Sequence, residues 1–521
     1  MKRVLPALAL LTALPSGFWR PGDRVLLSDF SVITAVAASP FMVYAATQNG
    51  LLIYDRGADH WALPQTFLDG YPTAPVRLAV ADPVGNGVWL GTADGWAHYS
   101  QDLNQWDGGI VPGGVRDAFL DSQDPTSGLY VLGATGWGLI PRGGLIATPV
   151  RMLPPSNRRV GPLALGAALA RAPVVSAMRA RLLTDSRLRI YQFTAAAQSP
   201  DRPDELFLGT TGMGLLRVNA ASGEGGPLPF GLPNTGAAVV AAGPGGVWTV
   251  GSARAAERRG VTWVPDDLSR FTLDENALGR GTSVLLARRL LYADQTLWLA
   301  TDHGVYQIPT GGETTGRVLD LGAGLPGENA LSLARAPDGV WVGTTQGLAV
   351  ITNAGSVVRM PGYDRPVPAM VAQRESVWVG TADGLGLIEP GAQSPTVPPA
   401  LAAQPSLRAP ITAVTNAHDT IVAATADQLG WRDPATGSWT VLRPRAPVGT
   451  ITALAPDAGG VWIGGTAGVV FWDIGRQTFH GLSVPGDIPA AVRDLTVEGD
   501  YLWVASDAGL LRFSRDAALH R

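Results

Sequence analysis

Residues 377–388 read "VWVGTADGLGLI", and nearly the same line is written again and again along the chain. "VWLGTADGWAHY" begins at 88, "LWLATDHGVYQI" at 297 and "VWVGTTQGLAVI" at 340. "VWIGGTAGVVFW" begins at 461 and "LWVASDAGLLRF" at 502. A glycine-laced loop that cradles a phosphate is needed once, whereas a line that recurs is architecture. The aromatic second position serves as an anchor: Tyr44, Trp89, Tyr130, Phe207, Trp248, Trp298, Trp341, Trp378, Trp462 and Trp503, with Val422 in the same slot. Neighbouring anchors are 37 to 50 residues apart, except for one gap of 77 between Tyr130 and Phe207. A period of this length marks a repeat architecture.

Within one unit, "VWVGT" is a β-rich run, "ADG" a turn whose glycine tolerates positive φ, and "LGLI" the returning strand. A further strand precedes each hairpin ("ALSLARA" before "PDGVWVGT") and a less regular one follows it ("RQTFHGLSV"). Four strands in about forty residues describe a propeller blade. Continuous apolar runs suit strands buried on both faces between blades, and the abundance of Gly, Pro and Thr argues against a helical solenoid. The fold expected is all-β: a β-propeller of about eleven four-stranded blades spanning 23–515. Rings usually hold four to eight blades, so two joined rings are expected, the chain leaving one and returning to it, with one very large ring as the alternative. "DRVLLSDF", 23–30, is an orphan strand expected to pair with the strand ending in Phe513 and so to close a ring. Closure removes sheet edges.

The anchored "VWVGT" and the stretch "GLPGENALSLARAPDGVWVGTTQGL", 324–348, resemble the two-component regulator propeller repeat. The resemblance covers roughly residues 32–515 apart from one insertion. It implies the propeller fold, and in that family such arrays form the periplasmic ligand-sensing part of hybrid histidine-kinase receptors. No kinase region or transmembrane helix accompanies the repeats here, so the resemblance implies the fold and leaves the signalling role open.

Composition agrees with that reading. The 521 residues include 65 Gly, 41 Pro and 16 Trp, and 46% are hydrophobic, which excludes both disorder and collagen. The net charge of −4 argues against a general polyanion binder, and no nucleic-acid partner is expected. Cysteine is absent, so disulfides, thiolate metal sites and cysteine nucleophiles are excluded. Residues 1–22 have a basic start (Lys2, Arg3) and an apolar run, Val4 to Leu14, too short to span a membrane. That pattern suits a secretory signal with a poor cleavage site, and places the protein in the periplasm or outside the cell.

Chemistry-bearing residues are dispersed. "GAGLPG", 322–327, has the glycine spacing of a dinucleotide loop but lies between blades rather than in a strand–helix unit, so no cofactor is expected. The histidines at 60, 98, 303, 418, 480 and 520 show no metal-ligand spacing. Asp94, Asp302, Asp338, Asp383, Asp457 and Asp507 fall in turns, where Asp satisfies local backbone groups, and several are expected on one face of a ring. The insertion at 151–189 breaks the pattern, with eight arginines against Asp185 alone. Arg158, Arg159, Arg171, Arg179 and Arg181 are candidate contacts for an anionic partner or a membrane surface, with Val174, Met178 and Leu182 as an apolar stripe. As a partner-binding element the segment is expected to be dispensable for blade folding, so that a short Gly-Ser loop in place of 155–186 spares the blades. Read structurally, it is a solvated excursion or a bridge between rings with its apolar stripe on the propeller. The function expected is a non-enzymatic, exported binding protein, a sensor or assembly platform with a protein or carbohydrate ligand on a propeller face. A propeller lyase or glycoside hydrolase and a structural subunit are the alternatives.

Overall fold

The computed structural model describes residues 19–254, 257–279, 284–311 and 316–520, so all but the last residues of the 1–22 segment lie outside it. Its strands form eleven antiparallel sheets, nine of four strands, one of five and one of three. Each is a meander with its first strand toward the inside, and in the five-stranded sheet Arg159–Val160 is added beyond that strand. Burial follows that order. Gly87–Thr92, a second strand, is buried at every position, while Gln105–Ile110, the fourth strand of the same sheet, is largely exposed.

The innermost strands set the architecture. Those of the first four blades are β2 (Ile33–Ala38), β3 (Val76–Asp82), β4 (Asp117–Asp121) and β6 (Phe193–Gln198); a short strand, β5 (Arg159–Val160), lies between the last two in sequence. β2 lies beside both β3 and β6, and β4 lies beside β3. β5 pairs with β4 (Leu120↔Val160), and Leu163 bridges to Ala196 on β6, so residues 159–163 fill the remaining gap. The other seven inner strands are β7 (Val239–Gly243), β8 (Ala287–Ala293), β9 (Ala330–Ala336), β10 (Ala369–Gln373), β11 (Ala413–Ala417), β12 (Ile451–Asp457) and β13 (Val492–Glu498). Each lies beside the next, and β13 lies beside β7. The eleven blades therefore divide into four and seven, and the very large single ring is not what forms.

The N-terminal strand β1 (Arg24–Leu27) is the fourth strand of the last blade. It pairs antiparallel with β14 (Gly509–Ser514) in the register Arg24↔Phe513 to Leu27↔Leu510. From β1 in the seven-blade unit the chain passes through all four blades of the other and returns. Its two crossings run side by side, with Leu232 N–H donating to Ser28 O at 2.9 Å. Phe230 packs there against Phe30, Trp61 and Phe271, with ring centroids 6.0, 5.7 and 4.7 Å away.

Most anchors fill the spaces between blades. Trp89, Trp298, Trp378, Trp462 and Trp503 are buried, whereas Trp248 and Trp341 are half-buried. The indole reaches toward the turn between first and second strands, and Trp341 Nε1 meets Asp338 there at 3.0 Å in partly open surroundings. Blade eight has three strands: a single bridge, Leu387↔Thr396, stands in for the fourth, and residues 399–408 then coil and bury Leu401 and Leu407. Among the described residues no helix is long and apolar enough to cross a membrane.

Candidate functional site in the hub of the four-blade unit

Every inner strand has side chains buried on both faces, so only its sheet edge can face the axis of its unit. In the four-blade unit those edges surround an apolar cavity of about 480 Å³. Its wall is made by Val36, Ala79, Val80, Leu120, Val160, Leu163 and Ala197, with Pro40, Pro83, Pro125 and Pro200 at the end where the inner strands finish. Proline suits this position because its fixed φ and missing donor hold a turn without leaving an unsatisfied N–H.

Arginines lock that rim: Arg56 is buried, and Arg142 and Arg158 are half-buried. Arg56 of blade one meets Glu205 and Asp201 of blade four at 3.0 and 2.7 Å, and also donates to the carbonyls of Ser39 and Pro40. Arg142 of blade three meets Asp82 of blade two at 2.7 Å and the Pro125 carbonyl at 2.9 Å. His98 Nε2 lies 2.8 Å from the same Asp82 carboxylate, and its ring stacks on Trp89. Burial alone would raise the Asp82 pKa, but the hydrogen bonds from His98 and Arg142 hold it at about 2. Arg158 engages Asp121, through Nε at 2.8 Å, and holds that carboxyl below the usual range. Each rim carboxylate is thereby engaged by an arginine, leaving the wall mostly apolar.

Of the five candidate arginines, Arg158 sits at this rim. Arg159 stacks over Phe119 at 5.1 Å and donates to Pro154 O. Arg171 in α1 (Leu165–Arg171), and Arg179 and Arg181 in α3 (Arg179–Leu182), are exposed. The hub brings together only the first two. Between them, α2 (Pro173–Ala177) shows why the stripe Val174, Met178, Leu182 does not form as read. Pro173 restarts the helix and α3 starts afresh, so Val175 rather than Val174 is buried, with Leu182 and Leu183, against blade four. Arg189 meets Glu275 of the seven-blade unit at 2.7 Å, and Arg187 donates to its backbone. The insertion is thus tied at its start into the hub and at its end to the other unit.

The turn carboxylates divide between two ends of the units. Asp94, Asp302, Asp383 and Asp507 lie between second and third strands, while Asp338 lies between first and second and Asp457 ends a first strand. Antiparallel strands put those turns at opposite ends, so the six do not share one face. Asp383 is paired with Arg365, Asp507 with Arg493, and Asp302 lies 3.2 Å from His303. Among the described residues no group of three His, Asp or Glu is placed to hold a metal ion. "GAGLPG" is the connector between blades six and seven and opens no helix. Sequence reading missed Arg56, Arg142, Asp82 and Asp121. No local signal marked them: a proline precedes the anchor by four to seven residues in the first four units, but Pro244, Pro337 and Pro456 precede Trp248, Trp341 and Trp462 in the same way.

No protein-family model matches the sequence, and no curated protein matches it either. Among solved structures the chain is similar to PorZ, described as an essential bacterial surface component of the type IX secretion system of Porphyromonas gingivalis. That similarity has a TM-score of 0.56 at 12% identity, over 95% of this chain and 87% of that one. The fold is a β-propeller. The extracellular domains of two putative hybrid two-component systems of B. thetaiotaomicron are similar as well. For BT3049 the identity is 15%, over 92% of this chain and 61% of that one, with a TM-score of 0.44. For BT4673 it is 13%, over 93% and 70%, with a TM-score of 0.41. The propeller therefore spans less than two thirds of the BT3049 domain.

Proposed function

We propose that this propeller is an exported, non-enzymatic binding protein that captures an apolar part of its ligand or partner in the hub of the four-blade unit. The observation that carries this reading is the cavity itself: about 480 Å³ of apolar space, with a rim fixed by Arg56, Arg142 and Arg158. Binding pockets are mostly apolar, pre-formed and few in number, and a rim held by charge-assisted hydrogen bonds is organised in advance of binding. The wall offers no free acid–base pair, since Asp121 is engaged by Arg158, and so it suits holding rather than reacting. The signal-like residues 1–22 and the overall likeness to a bacterial surface component support a place in the periplasm or at the cell surface, as a sensor or assembly platform.

A photo-crosslinking amino acid at Ser122, an exposed residue on the cavity lining, tests this in the native host. The comparison site is Gly355, whose surroundings are open. A discrete product is expected from position 122 in the envelope fraction and none from 355. Products from 355 alone, or from neither, would remove the hub as the binding site.

A further inference from the structure

The hub already binds one extended segment, and that segment belongs to the chain. Residues 159–163 leave the outer layers, run antiparallel along the edge of β4 and bridge onto β6. Ser122 N–H donates to Arg158 O at 2.8 Å at the start of this pairing. Two of the four inner edges are therefore partly occupied from within. The other two, β2 and β3, are the terminal strands of their sheets and face the cavity, and among the described residues no strand is hydrogen-bonded to those edges.

An open strand edge is a template for a further strand. On β2 its donors can be named. Ser39 N–H bonds to Met42 O at 2.8 Å, and Ala37 opposes Tyr44. Hydrogen-bonded pairs alternate along an antiparallel ladder, so Ala37 also points its backbone into the sheet. The N–H and C=O groups of Val36 and Ala38 then point the other way, into the cavity. A wall that presents backbone donors and acceptors between apolar patches is matched by a ligand with the same alternation, and an extended peptide has it.

We propose that the hub accepts an uncharged, apolar peptide segment as an added strand on β2, antiparallel to it and parallel to residues 159–163. The direction follows from the unit: the inner strands of neighbouring blades run the same way, and 159–163 runs against them. An uncharged segment follows from the rim, where Asp82 and Asp121 are each neutralised by arginine. The inference rests on the hub being the binding site, and adds that backbone pairing, more than apolar contact alone, selects the ligand.

The probe is an acetylated, amidated Ala-Val-Ala-Val-Ala peptide carrying a fluorophore on a Gly-Ser leader, titrated against the full chain by anisotropy. A matched probe has its central residues N-methylated, which removes donors and keeps the apolar surface. Decyl maltoside serves as an apolar competitor without a peptide backbone. Saturable binding is expected, weakened at least tenfold by N-methylation. Ala38→Pro should weaken it similarly, because it deletes a donor that the sheet does not use, and proline is tolerated on such an edge. Its melting temperature should stay within a few degrees; if it does not fold, the N-methylated probe decides. Equal binding of both peptides, or displacement by decyl maltoside with no peptide-backbone dependence, would overturn strand addition while leaving an apolar hub site standing. No binding of peptide or detergent, together with no crosslink at position 122, would overturn both.

Discussion

Thr344 carries much of what the recurring line means. Its hydroxyl donates to the carbonyl of Gly347 at 3.0 Å and accepts from the N–H of Gln346 at 3.1 Å. Thr47, Thr301, Thr381 and Ser506 repeat the first of these bonds, each to the glycine three residues on. The glycine was legible as a turn signal, and Gly347 has a φ of 122°, with Tyr363 O where a Cβ would go. The hydroxyl was in plain view in "GT" and was not read, because threonine also suits a strand by propensity. Thr344→Val leaves those two turn groups without their partner in a buried place, and should lower stability by about 1–3 kcal/mol in denaturant titrations, while Thr344→Ser should recover most of it. The rim arginines were illegible for another reason: Arg56 and Glu205 are far apart in sequence, and no local pattern announces such a pair. Asp82 makes the rim pH-sensitive. Its folded pKa of about 2 lies below the unfolded value of about 3.9, so its contribution is complete above the unfolded value and is lost as pH falls through about 4 to 2. The contribution is on the order of 2 kcal/mol. Acid unfolding of Asp82→Asn, followed by tryptophan fluorescence, should be flatter than wild type across that window.

At the scale of elements, the second strand of each blade was the easiest to read and the insertion the hardest. "VWVGT" announces a strand buried on both faces, and Trp378 is buried with its Nε1 on Gln373 at 3.0 Å and its ring edge-on to Trp439. Trp378→Ala should cost about 3–5 kcal/mol as a large-to-small core change, and a denaturant melt superimposable on wild type would contradict its place between blades. The eight arginines of 151–189 drew attention to charge, whereas the element that matters for the hub is the uncharged run Val160–Leu163. Two residues of strand have no readable period, and only the partner edge on β4 makes them one. Replacing 155–186 by a short Gly-Ser loop was expected to spare the blades. The structure predicts the opposite: the replacement removes β5, frees Asp121 and uncovers the face of blade four under Val175, Leu182 and Leu183. The melting temperature should fall by well over a few degrees in scanning calorimetry.

At the scale of the whole molecule, the repeat count told how many blades exist but not how they are shared. The division into four and seven depends on which inner strands touch, and anchor spacing carries no trace of that. The crossing near "FGLPNTG", 230–236, reads like any other connector, yet Phe230 there joins the two units. The pairing of β1 with β14 was legible, because a strand with no hairpin of its own needed a partner. A chain starting at Val32 should expose the edge of β14 and self-associate, visible by light scattering as a species larger than the monomer. That pairing also sets a clock. Arg24 and Phe513 are partners 489 residues apart (513 − 24), while the first four blades have all their strands once residue 228 has been made. During synthesis the smaller unit can mature early, and β1 must wait beside it, unpaired, for nearly the whole remaining chain. A polypeptide interrupted anywhere before Gly509 keeps that unpaired strand, so unfinished molecules carry a built-in mark that a protease or chaperone can recognise and finished ones have hidden.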